Sequence, residues 1–457
     1  MSIDKEIENH VHLLELFLED PSHATISSNE VAKALKQIHK SDEAHFNEYL
    51  QKIPNEFLGD IALELPEKYL KGVLNELPAA DMIKVIEELD SDDATDLIQD
   101  IEDIDQEKAD EILSSLDEED QEEIKMLKRY DENQAGSYMQ LELFSANYDE
   151  VIRDSIERFK RYKSENKIID SHNVFIVGTF GKLMFTIPFQ DLITFDFSKS
   201  YKEVLLEENE DDYKSQYVRD DEDIDDVAQF FKEHDLSVVP VVNYHGELVG
   251  RITSDDIYDV LQESATEQIY NLAGVDDDAE EEENFFEAGR KRGSWLFVNL
   301  LTAILASFVI QYFDETIQAF VALAVLMPIV ASMGGNAGTQ TLTVTVRRLA
   351  LGDIELENAK ETIKKEVALA LANGVVFAIL LGIVATVWFS MPMLGVVIAL
   401  SMLINLFAAG FFGAVIPLLL KRANIDPAVG STVILTTVTD VVGFFSFLGL
   451  AKWLLIV

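Results

Sequence analysis

Asp440 is the only ionisable side chain in the apolar run from Pro427 to Ala451. A carboxylate at membrane depth costs about 2.5–3.5 kcal/mol on insertion scales, so it faces a bundle interior or a water path and marks a functional site by default. The alternative is a hydrogen-bonded or protonated Asp that glues two helices. At helical spacings of three and four, Val433, Thr436, Thr437, Asp440 and Gly443 share one face. Threonines in such a segment also bond back to their own helix, so their hydroxyls alone carry little. Upstream, Gly334-Gly335-Asn336-Ala337-Gly338-Thr339-Gln340 sets three glycines beside two amides. Glycines let membrane helices pack closely. They can also open backbone carbonyls toward a water-lined cavity. Oxygen ligands without His or Cys suit a hard cation. Magnesium sheds its waters reluctantly and binds through one or two carboxylates. One Asp440 per chain makes a poor site; two, facing each other across a dimer axis, make a site for a hydrated cation.

These residues need membrane-spanning helices to hold them. Spans are expected at about 295–313, 316–346, 366–389, 393–420 and 427–451, each long enough for a hydrocarbon core that takes about 20 helical residues. The second contains Pro328 and Gly334-Gly335 and is expected to be broken or kinked there. With five spans, Arg290-Lys291-Arg292, Arg347-Arg348, Lys360, Lys364, Lys365 and Lys421-Arg422 fall on one side. Asp314-Glu315 and Lys452 fall on the other. The positive-inside rule then places the N-terminal region in the cytoplasm and the C-terminus outside.

Charge divides the 457-residue chain in two. The net charge is −47, yet residues from Ala288 onward hold 11 Lys/Arg and 9 Asp/Glu, a net of +2. The first 287 residues carry −49. Phosphates would be repelled by that surface, which argues against nucleic acid and for solubility, cations or both. With no cysteine, disulfides and thiolate metal sites are excluded. The acidic, amphipathic Met1–Asp20 lacks the basic-then-apolar pattern of a signal peptide.

Two repeats organise the acidic part. Ile53-Pro54, Leu65-Pro66, Leu77-Pro78 and Leu89-Asp90 recur every 12 residues, and the series resumes at Ile104 and Leu116 after a slip of three. Proline or aspartate after the apolar residue suits a helix start, and units this short must stack as a helical solenoid. Further on, Ser237–Val242 and Leu248–Thr253 read as strands around a His245-Gly246 turn, with Ser254-Asp255-Asp256 capping a helix. Asn173–Val177, Gly181, Leu183–Ile187 and Gln190-Asp191 repeat that order at an offset of 65. The pattern resembles a tandem pair of CBS domains. A mostly helical connector, interrupted near Gly274 and crowded with acids at Asp276–Glu283, should join it to the spans.

Taken together, this order of parts resembles the MgtE family of magnesium channels and transporters. The resemblance rests on Pro328 through Gln340 (P-x(5)-G-G-N-x-G-x-Q), on Asp426-Pro427-Ala428, and on Asp440-Val441-Val442-Gly443. The expected fold is multidomain: an α-helical solenoid at 1–134, an α/β CBS pair at 135–199 and 200–263, a connecting helix at 264–292 and a five-span α-helical pore domain at 293–457. The resemblance implies a homodimer with its pore at the subunit interface. It makes Asp440 the ion-binding carboxylate, with Thr436, Thr437, Asn336 and Gly443 lining the pore. It implies that cytosolic Mg2+ closes the channel by bridging acidic groups between domains. The matching acids are Asp92 and Asp96 in the solenoid; Asp223, Asp225, Asp235, Asp256 and Asp259 in the second CBS copy; Glu267 on the connector; and Asp426 at the pore mouth. Two acidic positions of the family's connector appear here as Ser264 and Gln268. Gln190 stands where an arginine is expected in the nucleotide pocket and Leu236 where an aromatic is expected, so ATP should bind weakly or not at all.

The leading reading is a magnesium-selective channel or transporter in the cell (inner) membrane. A carrier for another divalent ion such as cobalt is the rival within transport. A membrane-anchored cation sensor is the rival outside it, although a mere anchor would need neither Asp440 nor the glycine-rich second span. Without H-E-x-x-H, a P-loop or a cysteine nucleophile, the chain is not expected to be an enzyme.

Overall fold

Helices of the acidic part start where the 12-residue spacing places them. Pro54, Pro66 and Pro78 are the N-cap residues of Asn55–Leu63, Glu67–Glu76 and Ala79–Ile86. Asp90, Asp105 and Asp117 occupy the same place before Ser91–Ile104, Gln106–Ser115 and Glu118–Leu127. Proline's fixed φ suits the extended cap, and it holds the residue before it extended too. The three-residue slip has a visible product. Ser91–Ile104 has 14 residues against 8–10 in its five neighbours, which is about one extra turn. Leu14, Leu35, Phe46, Leu58, Leu70, Val85, Leu97 and Ile112, from successive helices, share one continuous core.

This is a computed structural model, and it describes every residue except 1–2, 22–24, 41–42, 166–170, 276–284, 355–358, 424 and 457. The chain forms two compact units, Met1–Gln262 and Glu263–Val457.

The 65-residue repeat is carried into three dimensions. One sheet runs Ser145–Asn147, Asn173–Val177, Leu183–Pro188, and the other Val218–Arg219, Val238–Val242, Leu248–Thr253. In each, the first pair is parallel and the second antiparallel. The antiparallel register shifts at Ile176/Val177 and at Val241/Val242, 65 residues apart. Gly181 (φ +71) and Gly246 (φ +78) take the left-handed turn conformation that glycine adopts without strain. The two turns meet, with Leu183 N donating to Gly246 O at 3.0 Å. The cores interleave in sequence. Tyr201, Val204 and Leu205 pack with the first copy, while Leu127, Ala135 and Met139 pack with the second.

Among the described residues of the second unit, five helices are long and apolar enough to cross a membrane. They are Phe285–Tyr312, Ala322–Ala350, Ala359–Phe389, Pro392–Arg422 and Ser431–Leu455, called here the first to fifth spans. The fourth is the most buried and packs against the second, third and fifth; the first packs mainly on the fifth. The expected break at Pro328 or Gly334-Gly335 is not where the chain breaks. A short helix, Asp314–Ala319, ends before Phe320, and the second span then runs unbroken across both features. Its glycines serve packing: Gly334 lies on Asn405, and Gly338 on Leu435 and Gly413. The fifth span starts later than expected because the Asp426-Pro427-Ala428 segment is a turn, with Ala428 N donating to Asp426 Oδ1 at 2.8 Å. The connecting helix Ser254–Ala273 ends at Gly274, which has φ +70. The acidic run Asp276–Glu283 falls outside the described residues.

Candidate ion sites

The fifth span presents Asp440 half-buried. Among the described residues no hydrogen-bond donor reaches its carboxylate. Thr436 Oγ1 donates to Thr432 O at 2.9 Å and Thr437 Oγ1 to Val433 O at 2.6 Å. Their hydroxyl protons are therefore held by their own helix, and only the oxygen lone pairs face outward. Asn336 is exposed, with Nδ2 3.3 Å from Ser332 Oγ. Gly443 is buried, and a Cβ there would lie 2.8 Å from Asn405 Nδ2.

A second group forms at the end of the connecting helix. Asn271 Nδ2 donates to Glu267 Oε1 at 3.2 Å and to Asp426 Oδ2 at 3.0 Å. One amide thus joins the connector carboxylate to the carboxylate just before the fifth span. Thr432 Oγ1 donates to Leu272 O at 2.9 Å beside it. Gly274 and Gly430 both lie against the Trp295 ring, so the connector's end, the first span and the start of the fifth meet there.

In the first unit the extra turn of Ser91–Ile104 gathers carboxylates. Asp92 is buried, and its carboxyl is pushed well above the usual range by burial, then by the charges of Asp256 and Asp93. Burial, followed by neighbouring acids, raises Asp93 and Asp96 to about 7 each. Asp256 is raised to about 6, again chiefly by burial. It also accepts from Thr253 Oγ1 at 2.6 Å, which fixes it at the start of the connecting helix. Asp259, three residues on, is raised by burial and by Asp255. Among the described residues no three carboxylate or imidazole groups converge tightly enough to hold a bare ion.

The other predicted acids have local work. Asp223 is the N-cap of Ile224–His234, accepting from Asp225 N at 3.0 Å, and Asp235 closes that helix in the left-handed conformation. Asp223, Asp225 and Asp235 are all exposed. Sequence reasoning passed over three residues that the structure brings forward: Asp93, Asn271 and Asn405. Asp93 carries its own signal as the second acid of Asp92-Asp93, and Asn405 as the lone amide in the apolar fourth span. Asn271 carries none, because its partner Asp426 is 155 residues away.

Comparison with known proteins decides the family. The family description "divalent cation transporter" (MgtE) matches residues 327–450, the MgtE intracellular N domain 27–133, and the CBS domain 212–263. The magnesium transporter MgtE of Thermus thermophilus is 32% identical over 335 residues, covering 73% of this chain and 72% of that one. The chain belongs to the MgtE family. MgtE of Enterococcus faecalis is similarly related, 33% identical over 330 residues, covering 72% and 71%. A crystal structure of the cytosolic domain of the Mg2+ channel MgtE in complex with ATP is 26% identical, covers 53% of this chain and 92% of that one, and superposes with a TM-score of 0.46. As an MgtE-family protein the chain is a multi-pass membrane protein of a transporter family, not an enzyme. Its CBS pair holds a cleft of about 880 Å³ whose walls include Gln190, Leu236, Lys214, Asp211, Asp212 and Asp235. The volume would admit a nucleotide.

Proposed function

We propose that this MgtE-family chain forms a homodimeric, magnesium-selective channel that cytosolic magnesium closes. The observation that carries the reading is Asp440, a half-buried carboxylate inside a membrane-spanning helix, with no hydrogen-bond partner among the described residues. A second copy facing it would supply the second carboxylate that a hydrated magnesium ion uses. Closure would follow from magnesium bound among Asp92, Asp93, Asp96 and Asp256, where burial and like charge already disfavour ionisation. The ion can move the gate only by preferring one arrangement of the protein over another.

The test is magnesium flux and single-channel current in liposomes. Asp440→Asn keeps shape and removes charge; it should abolish flux while the protein still folds and dimerises. Normal flux from that variant would remove Asp440 from the mechanism. Discrete current steps would separate a channel from a carrier.

A further inference from the structure

We infer that Asn405 is the positioning residue that sets the Asp440 turn of the fifth span against the Gly334–Asn336 turn of the second. The inference rests on the reading of Asp440 as the ion site. Asn405 lies on the fourth span and is completely buried. Its Nδ2 donates across to Val330 O of the second span at 2.8 Å. Its Oδ1 is buried with no hydrogen-bond partner among the described residues.

The neighbours on either side are glycines. A Cβ on Gly334 would overlap Asn405 Nδ2, and one on Gly443 would lie 2.8 Å from it. The amide therefore fills the space of two missing side chains on two different helices. Gly334 is two residues before Asn336, and Gly443 is three after Asp440, so both contacts fall within a turn of the candidate ion site.

Packing alone does not explain an amide here. An apolar side chain would fill the gap without burying an unpaired oxygen, and such oxygens are costly. What the amide adds is direction. A hydrogen bond between membrane helices fixes their rotation as well as their separation. That bond sets the fourth span against the second, and the close approach of Gly443 to the same amide seats the fifth, whose rotation decides where the Asp440 carboxylate points.

Three variants test this: Asn405→Ala, Gly334→Ala, and the two together, with Asp440→Asn as reference. Readouts are magnesium flux in liposomes, discrimination against calcium, and thermal stability. Asn405→Ala should fold yet lose at least tenfold in magnesium flux or in discrimination. Gly334→Ala alone should be destabilised, because its methyl meets the amide. In the double variant the new methyl refills the gap, so stability should return while flux or discrimination stays low. Recovery of both in the double variant would make Asn405 a filler and overturn the inference. Wild-type flux and discrimination in Asn405→Ala would also overturn it, as would failure of both Asn405 variants to fold. If Asp440→Asn is inactive while Asn405→Ala is normal, only the positioning role fails. If Asp440→Asn conducts normally, the ion-site reading fails and takes this inference with it.

Discussion

Two kinds of carboxylate emerge at the scale of single residues. Asp440 has no hydrogen-bond partner among the described residues, whereas Asp92, Asp93, Asp96 and Asp256 have neighbours of one sign. The second kind gives a pH dependence. Asp93 and Asp96 titrate near 7 and Asp256 near 6, against an ordinary 3.8. Between about pH 4 and 7 the folded form therefore binds more protons than the unfolded chain. The contribution of these three groups to stability without divalent ions falls as pH rises through that window. Thermal unfolding of residues 1–262 should show a lower midpoint at pH 8 than at pH 5, and added magnesium should recover it at pH 8. A midpoint that rises with pH in metal-free buffer would contradict the burial of this cluster. Gln190 and Leu236 give a second expectation: calorimetry at physiological salt should show weak ATP binding or none, and tight binding would overturn it. Asn271 gives a third. Its two hydrogen bonds to Glu267 and Asp426 are each worth about 1 kcal/mol. Asn271→Ala should weaken inhibition by cytosolic magnesium by about five- to thirty-fold, read as the concentration that halves the current; an unchanged half-point would remove the amide link from gating.

Elements were legible where local chemistry sets them. The solenoid helices start at Pro54, Pro66, Pro78, Asp90, Asp105 and Asp117 because a cap depends only on its own few residues. The caps still differ in strength. Asp105 accepts from Lys108 N at 3.1 Å, whereas Asp90 makes no side-chain cap bond. Asp105→Ala should cost about 1 kcal/mol in urea unfolding, and Asp90→Ala should cost less, since it also removes a charge that repels Asp93. Equal losses would mean that capping does not distinguish them. The repeat offset of 65 was legible for the same reason, since each copy repeats its strands and its glycine turn. The second span does not break at Pro328 or Gly334-Gly335, although proline and glycine weaken a helix locally; Asn405 of the fourth span fills the space beside Gly334 and Leu435 of the fifth that beside Gly338. Asn405 was missed because only tertiary packing distinguishes a tie between helices from an amide bonded to its own.

At the scale of the whole molecule, the second unit has cores of its own. Deleting residues 1–262 should therefore leave a conducting protein with less sensitivity to cytosolic magnesium; loss of all conduction in a folded deletion variant would place the pore's integrity elsewhere. The charge division has a further consequence. A region carrying −49 holds a counterion cloud in which ions are weighted by the exponential of their charge. Where the local potential is about one thermal unit, a monovalent cation is enriched about threefold and a divalent one about sevenfold. The acidic unit would then respond to the composition of its own ion atmosphere rather than to bulk magnesium. Potassium thins that atmosphere by screening. On the proposed reading, raising potassium should therefore shift the magnesium level at which the current halves.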